Sequence, residues 1–186
     1  MALLDNKTIA VLATHGFEQS ELERPLHGLR EAGATVHVIA PEDGEIRGWS
    51  GNDWGNPVKV DRTLGDAKAD DYNALVLPGG QINPDLLRVN ADALHFIREF
   101  YRNGKVIAAV CHAPWLLVET GIAEGRTMTS YHSIKTDVAN AGATWVDEAV
   151  VADNGIVTSR NPGDLDKFVE KIIEEVREGR HQRSAA

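Results

Sequence analysis

Apolar residues along this chain fall into short unbroken runs, separated by stretches in which they recur every third or fourth position. Thr8–Ala13 (TIAVLA), Thr35–Ala40 (TVHVIA), Tyr72–Leu77 (YNALVL) and Val106–Val110 (VIAAV) are continuous, the pattern of strands buried on both faces of a parallel sheet. The intervening stretches carry helical periodicity. Leu22, Leu26 and Leu29 share one face and Gly33 supplies a stop, while Pro25 predicts a kink or a late start. Asn83 as cap, Pro84 at the first position and Asp85 in the first turn predict a second helix, with Leu86, Leu94, Ile97 and Phe100 inward and Asn103-Gly104 as its end. Another helix follows Val110 to about Thr120. A short strand is expected near Thr127–Thr129, and Ser133 is expected to cap a helix to about Ala141. TWVDEAVVADNGIVTSR predicts strands turning at Asp153-Asn154-Gly155. Asp164 to about Glu178 closes the chain as an amphipathic helix.

Strands alternating with helices through short loops give an α/β fold, a doubly wound and mostly parallel sheet with a small antiparallel addition. Glu45–Val60 (EIRGWSGNDWGNPVKV) breaks the alternation and predicts a hairpin or meander attached to the main sheet. Trp49 and Trp54 within it suit a binding surface, a cover for a sheet edge or a subunit contact. Residues 1–179 are expected to form a single domain, with 180–186 a polar, loose tail.

Composition narrows the function. Lys+Arg 19 against Asp+Glu 28 gives a net charge of −9, with no basic block beyond Arg180–Arg183, which argues against nucleic acid. No apolar run approaches the roughly 20 residues of a membrane span, and the N-terminal stretch does not resemble a signal peptide. The one cysteine cannot form an internal disulfide and suits a reducing cytoplasm.

Ligands in such sheets bind at the carboxyl ends of the strands, where three loops carry chemistry. Cys111 ends the run KVIAAVCHAPW at a strand-to-helix junction, where a nucleophile can be exposed and a helix N-terminus would lower the thiol pKa. The alternative is a small hydrophobe buried in the core. Gly79-Gly80 can bring backbone N–H groups to a reacting oxygen, or can simply form a tight turn. Glu18 can hydrogen-bond the thiol, or favour a helix dipole. No G-x-G-x-x-G follows the first strand and no phosphate-binding G-x-x-x-x-G-K-[ST] occurs. The histidines show no metal-ligand spacing, although His15, His112 and His132 fall near the same end. No cofactor or metal is expected.

Gly79-Gly80 after LVLP, the elbow Ala109-Val110-Cys111-His112-Ala113, and Thr129-Ser130-Tyr131 followed by IKTDVANAGATWVD resemble the ThiJ/PfpI superfamily, most closely its PfpI branch of protease-like and stress proteins. The resemblance runs from Thr8 to the last helix and implies a flavodoxin-like sheet with a nucleophile elbow. It implies Cys111 as nucleophile, Glu18 as the acid that contacts its sulfur, and His112 as a histidine at a subunit interface. The acid that pairs with such a histidine comes from a neighbouring chain; here its position falls on Asp85, where the family usually has Glu. Gly80, with Gly79 and the backbone around His112, resembles an oxyanion hole, and Tyr131 a pocket-lining residue. Related glutamine amidotransferases use a late His-x-Glu pair, which is absent here.

These readings converge on a cysteine-dependent hydrolase or lyase acting on reactive carbonyls or their protein adducts, or on peptides. A homodimer or hexamer with a shared active site is implied. The competing expectations are a redox sensor or chaperone-like protein whose Cys111 is oxidised to sulfinate, and a binding domain with an inert cysteine.

Overall fold

The computed structural model describes residues 2–183. Its main sheet has seven strands: β1 (Thr8–Leu12), β2 (Thr35–Ala40), β5 (Arg62–Thr63), β6 (Ala74–Leu77), β7 (Val106–Val110), β10 (Val150–Asp153) and β11 (Ile156–Ser159). Their spatial order is β10-β11-β7-β6-β1-β2-β5, parallel except for β10, which pairs antiparallel with β11. The chain builds outward from β1 through β2 to β5, then returns to β6 and builds the other way. The order therefore reverses between β1 and β6, the place where such sheets open a crevice beyond their strand ends. The expected doubly wound sheet is the observed one.

Alternation along each strand decides which face a residue covers. Val106, Ala108 and Val110 of β7 pack with α1 (Gln19–Glu31) and α6 (Leu165–Glu178) through Leu22, Leu29, Phe168 and Ile172. Ile107 and Ala109 face the opposite layer, where α3 (Ala91–Arg102), α4 (Pro114–Glu119) and α5 (Lys135–Asn140) contribute Phe96, Leu117 and Val138. Both layers are closed, so the sheet offers chemistry only at its ends. No helix among the described residues is long and apolar enough to cross a membrane.

Four local expectations are corrected. The hairpin, β3 (Glu45–Ser50) and β4 (Asp53–Lys59), forms its own two-stranded sheet instead of extending the main one. It docks on the loop after β1, with Gly16 N donating to Arg47 O and Trp49 N to Phe17 O. Helix α1 begins at Gln19, well before Pro25, which lies inside it. The helix expected from Asn83 is two: α2 (Ile82–Leu87) and α3, the latter capped by Asn90, whose side chain accepts from Ala93 N. Leu86 consequently faces solvent, 48% exposed. Finally, the described part of the tail is docked. His181 N donates to Gly104 O, and the Arg183 guanidinium donates to the carbonyls of Tyr101, Lys105 and Asn154. Residues 184–186 of that tail lie outside the described residues. The remaining short strands, β8 (Thr127–Met128) and β9 (Thr144–Trp145), pair with each other.

Candidate active site

Cys111 directly follows β7 with φ of 63°, a conformation an L-residue adopts at a cost of about 1–2 kcal/mol. Its neighbours hold it there. Cys111 N donates to Ser159 O at 3.0 Å, Cys111 O accepts from Tyr131 N at 2.8 Å, and Ala113 N closes the turn onto Val110 O. This is a nucleophile elbow in geometry. The sulfur belongs to a cavity of about 490 Å³ lined also by Glu18, Trp49, Gly80, Ile82 and Tyr131. The cysteine is 6% exposed.

The carboxylate beside the sulfur is Glu21, not Glu18. Glu21 sits in the first turn of α1 on the inward stripe with Leu22, Pro25 and Leu29, and is fully buried. Its Oε2 accepts from Gly79 N at 2.9 Å, while its Oε1 has no hydrogen-bonding partner among the described residues. Burial, with the nearby Glu18 carboxylate, raises its pKa from 4.5 to about 8, against the opposing pull of the Cys111 thiol and the Gly79 and Gly80 N–H groups. Glu21 is therefore protonated at neutral pH, a donor where an ionised carboxylate would only accept. Glu18 lines the mouth instead, its Oε1 accepting from Ser20 Oγ at 3.0 Å. The early start of α1 puts Glu21 beneath the elbow. A Glu within the periodic stripe of Leu22, Leu26 and Leu29 was the available signal in the sequence.

Burial pushes the Cys111 thiol upward, and the Glu21 carboxyl adds to this; the Gly80 and His112 N–H groups oppose it. The net shift is upward, opposite to the lowering expected of a helix N-terminus; α4 has six residues and starts only at Pro114. Activation has to come from a base. His112 supplies one: its Nδ1 lies 3.1 Å from Cys111 Sγ and its Nε2 3.1 Å from Ser133 Oγ. Burial and the nearby His132 lower its pKa, so the ring is neutral at pH 7 and can accept a proton. Tyr131 stacks on the ring at 4.8 Å, and Trp115 meets it edge-on at 5.2 Å.

The two glycines divide their work. Gly79 N is occupied by Glu21, which removes it as an oxyanion donor. Its own Cβ would fall 2.7 Å from that of Cys111, so glycine is required there. Gly80, with φ of 78°, directs its N–H at the sulfur and Glu21. Asp85 faces solvent on α2 and makes no hydrogen bond to His112 within the chain.

Two more residues depart from expectation, while Trp49 stands where the binding-surface alternative put it. Ser133 makes no cap for α5 and instead contacts His112. Asn83 is not a cap but is buried, its Oδ1 accepting from Thr14 N at 2.7 Å and its Nδ2 donating to Pro78 O at 2.8 Å. Trp49 lines the cavity. Among the described residues His15, His112 and His132 form no metal-ligating group. The side chains with that geometry are Glu175, Glu178 and His181, beside the start of β7.

A model of the DJ-1/PfpI family matches residues 7–175. A deglycase of Thermococcus kodakarensis is 38% identical over 169 residues, covering 91% of this chain and 99% of that protein. The deglycase PfpI of Pyrococcus furiosus is 39% identical over 165 residues, covering 89% and 96%. Among solved structures, a two-domain protein from Anabaena variabilis with DJ-1/ThiJ/PfpI-like and ferritin-like domains superposes with a TM-score of 0.87 at 35% identity, covering 92% of this chain and 48% of that one. The chain belongs to the DJ-1/PfpI family.

Proposed function

We propose that this chain is a cysteine-dependent enzyme of the PfpI type that acts on reactive carbonyls, such as methylglyoxal, or on the early adducts they form on proteins. The observation that carries the reading is the Cys111 sulfur, held in a strained turn at a cavity, with a neutral imidazole 3.1 Å away and a protonated carboxyl behind it. His112 Nδ1 takes the thiol proton, and the sulfur adds to the aldehyde carbon to give a hemithioacetal. The new alkoxide meets the Gly80 and His112 N–H groups and takes a proton from the imidazolium. His112, neutral again, takes the proton from the hemithioacetal carbon while protonated Glu21 gives its own to the neighbouring carbonyl oxygen. The enediol so formed takes the histidine's proton at that neighbouring carbon and returns its other hydroxyl proton to Glu21, which yields a thioester. Water hydrolyses the thioester to a 2-hydroxy acid and frees the thiol.

Carbonyls are preferred over peptides as substrates because the sulfur is nearly covered and the cavity suits a small molecule. The deglycase names of the relatives support the adduct branch. Purified protein should consume methylglyoxal, and Cys111→Ser should abolish that consumption; turnover that survives the substitution overturns the reading.

A redox role is the second reading, and one observation favours it. The buried Oε1 of Glu21, without a partner among the described residues, can hydrogen-bond a sulfinate oxygen when the carboxyl is protonated. Stoichiometric sulfinate on mild peroxide treatment, without any carbonyl turnover, selects it.

We also propose a homodimer or hexamer in a reducing cytoplasm. Ile82, Leu86 and Val89 lie exposed at helical spacing on and just beyond α2, flanking Asp85. Burying that face against a second chain would offer Asp85 to the neighbouring site.

A further inference from the structure

We propose that Ser133 is the positioning residue of this site, holding the direction of the His112 ring from within the same chain and accepting from its Nε2–H when Nδ1 carries the thiol proton. The assignment rests on the reading of Cys111 as the nucleophile. A neutral imidazole has one N–H donor and one bare nitrogen acceptor. To take the thiol proton, His112 has to present its bare nitrogen at Nδ1, 3.1 Å from Sγ, which leaves the proton on Nε2. Ser133 Oγ stands at the other edge of the ring, 3.1 Å from Nε2. Its hydroxyl can accept from Nε2–H or donate to a bare Nε2, so it accommodates the tautomer in which Nδ1 is free, and it is the acceptor there. Once Nδ1 is protonated, the same oxygen goes on accepting from the imidazolium.

The surroundings support this assignment. The ring is held by Tyr131 and Trp115, which fix its plane, but neither offers a hydrogen bond to a ring nitrogen. Trp115 Nε1 is committed to Asp137. The titratable and charged groups around the ring are Cys111, Glu21 behind the sulfur, Tyr131, His132 on the same segment as Ser133, and Arg88 just after α2, which lies over the Trp115 ring. Ser133 is thus the hydrogen-bonding partner of Nε2 among the described residues. It occurs in a helical turn at His132–Ile134 that approaches the elbow because Tyr131 N is bonded to Cys111 O. It does not line the cavity. Its influence on the reaction therefore passes through His112, and substrate binding should not sense it.

The test uses the lone cysteine, whose alkylation by iodoacetamide can be followed by mass across pH without reference to any substrate. Ser133→Ala should slow alkylation at pH 7 by about five- to tenfold, the worth of one hydrogen bond, and move the midpoint of the rate profile upward. Ser133→Thr, which restores a hydroxyl, should recover the wild-type profile, and both variants should melt with the wild type because the site is exposed. In methylglyoxal turnover kcat should fall with KM unchanged. Superimposable alkylation profiles for wild type and Ser133→Ala, or a Thr variant as impaired as the Ala variant, overturn the assignment. A wild type that alkylates as described but turns over no carbonyl removes the proposed function and leaves Ser133 in place.

Discussion

The two ends of β7 handle buried polar groups in opposite ways. At its amino end Lys105 is buried, with Nζ donating to Ala69 O, and Arg183 crosses back to satisfy the carbonyls of Tyr101, Lys105 and Asn154. Tyr101 lies under that guanidinium at 5.0 Å, and the hairpin turn at Asn154-Gly155 is tied to Gln182 O. At its carboxyl end Cys111 is strained and Glu21 Oε1 has no hydrogen-bonding partner among the described residues. Burial shifts titration at both ends, of Lys105 and Arg183 as of Glu21, Cys111 and His112, but only the carboxyl end opens these groups to a cavity. One end spends its polar groups on closure and the other keeps them available. Stability and reactivity are thereby assigned to different ends of the same strand.

Glu21→Gln offers the largest effect with which to break this contrast. It leaves the amide oxygen to accept from Gly79 N but removes the movable proton, and should lower carbonyl turnover by about a hundredfold. The same variant should also alter the pH dependence of stability. A carboxyl whose folded pKa is about 8 against an unfolded 4.5 binds its proton more tightly in the native state. Native stability therefore falls as pH rises from about 5 to about 8, by an amount on the order of a few kcal/mol. Denaturant unfolding at those pH values should show this slope in the wild type and a flatter one in Glu21→Gln. An equal slope in both would place the strain elsewhere.

A smaller effect sharpens the view that the carboxyl end is the one open to a second chain. Asp85→Asn should lower turnover about tenfold, and mixing it with Cys111→Ser should restore part of the loss through hybrid sites. No recovery in a mixture shown to have exchanged subunits would exclude action across an interface. The smallest effect belongs to the sealed end. Arg183→Ala should cost about 1–3 kcal/mol of stability in denaturant unfolding while carbonyl turnover stays within about twofold. A large loss of activity there would mean that the two ends are coupled.

Most of the framework was legible because its physics is repetitive. A run such as VIAAV can be buried on both faces only as an inner strand, and a chain that alternates such runs with periodic helices has few topologies open to it. The elbow was legible for the same reason, since Cys111 stands at the end of that run. What was not legible depends on single hydrogen bonds between distant segments. Ser133 and Asn83 are good helix caps by composition, and nothing local separates a hydroxyl that caps from one that meets a histidine 21 positions away. The Glu18–Glu21 choice was a matter of where α1 begins, which Pro25 obscured. Arg183 looked like a solvated tail because the carbonyls that hold it lie at the far side of the sheet.

Asn83 has a consequence for motion. Its single amide spans the gap between the ends of β1 and β6, gripping Thr14 on one bank and Pro78 and Gly79 on the other. The loops bearing Glu18 and Gly80 are thus tied to each other through one buried side chain. Spreading them apart would break these hydrogen bonds together and strand the amide in the protein interior, so the bore between them depends on Asn83 keeping its hold.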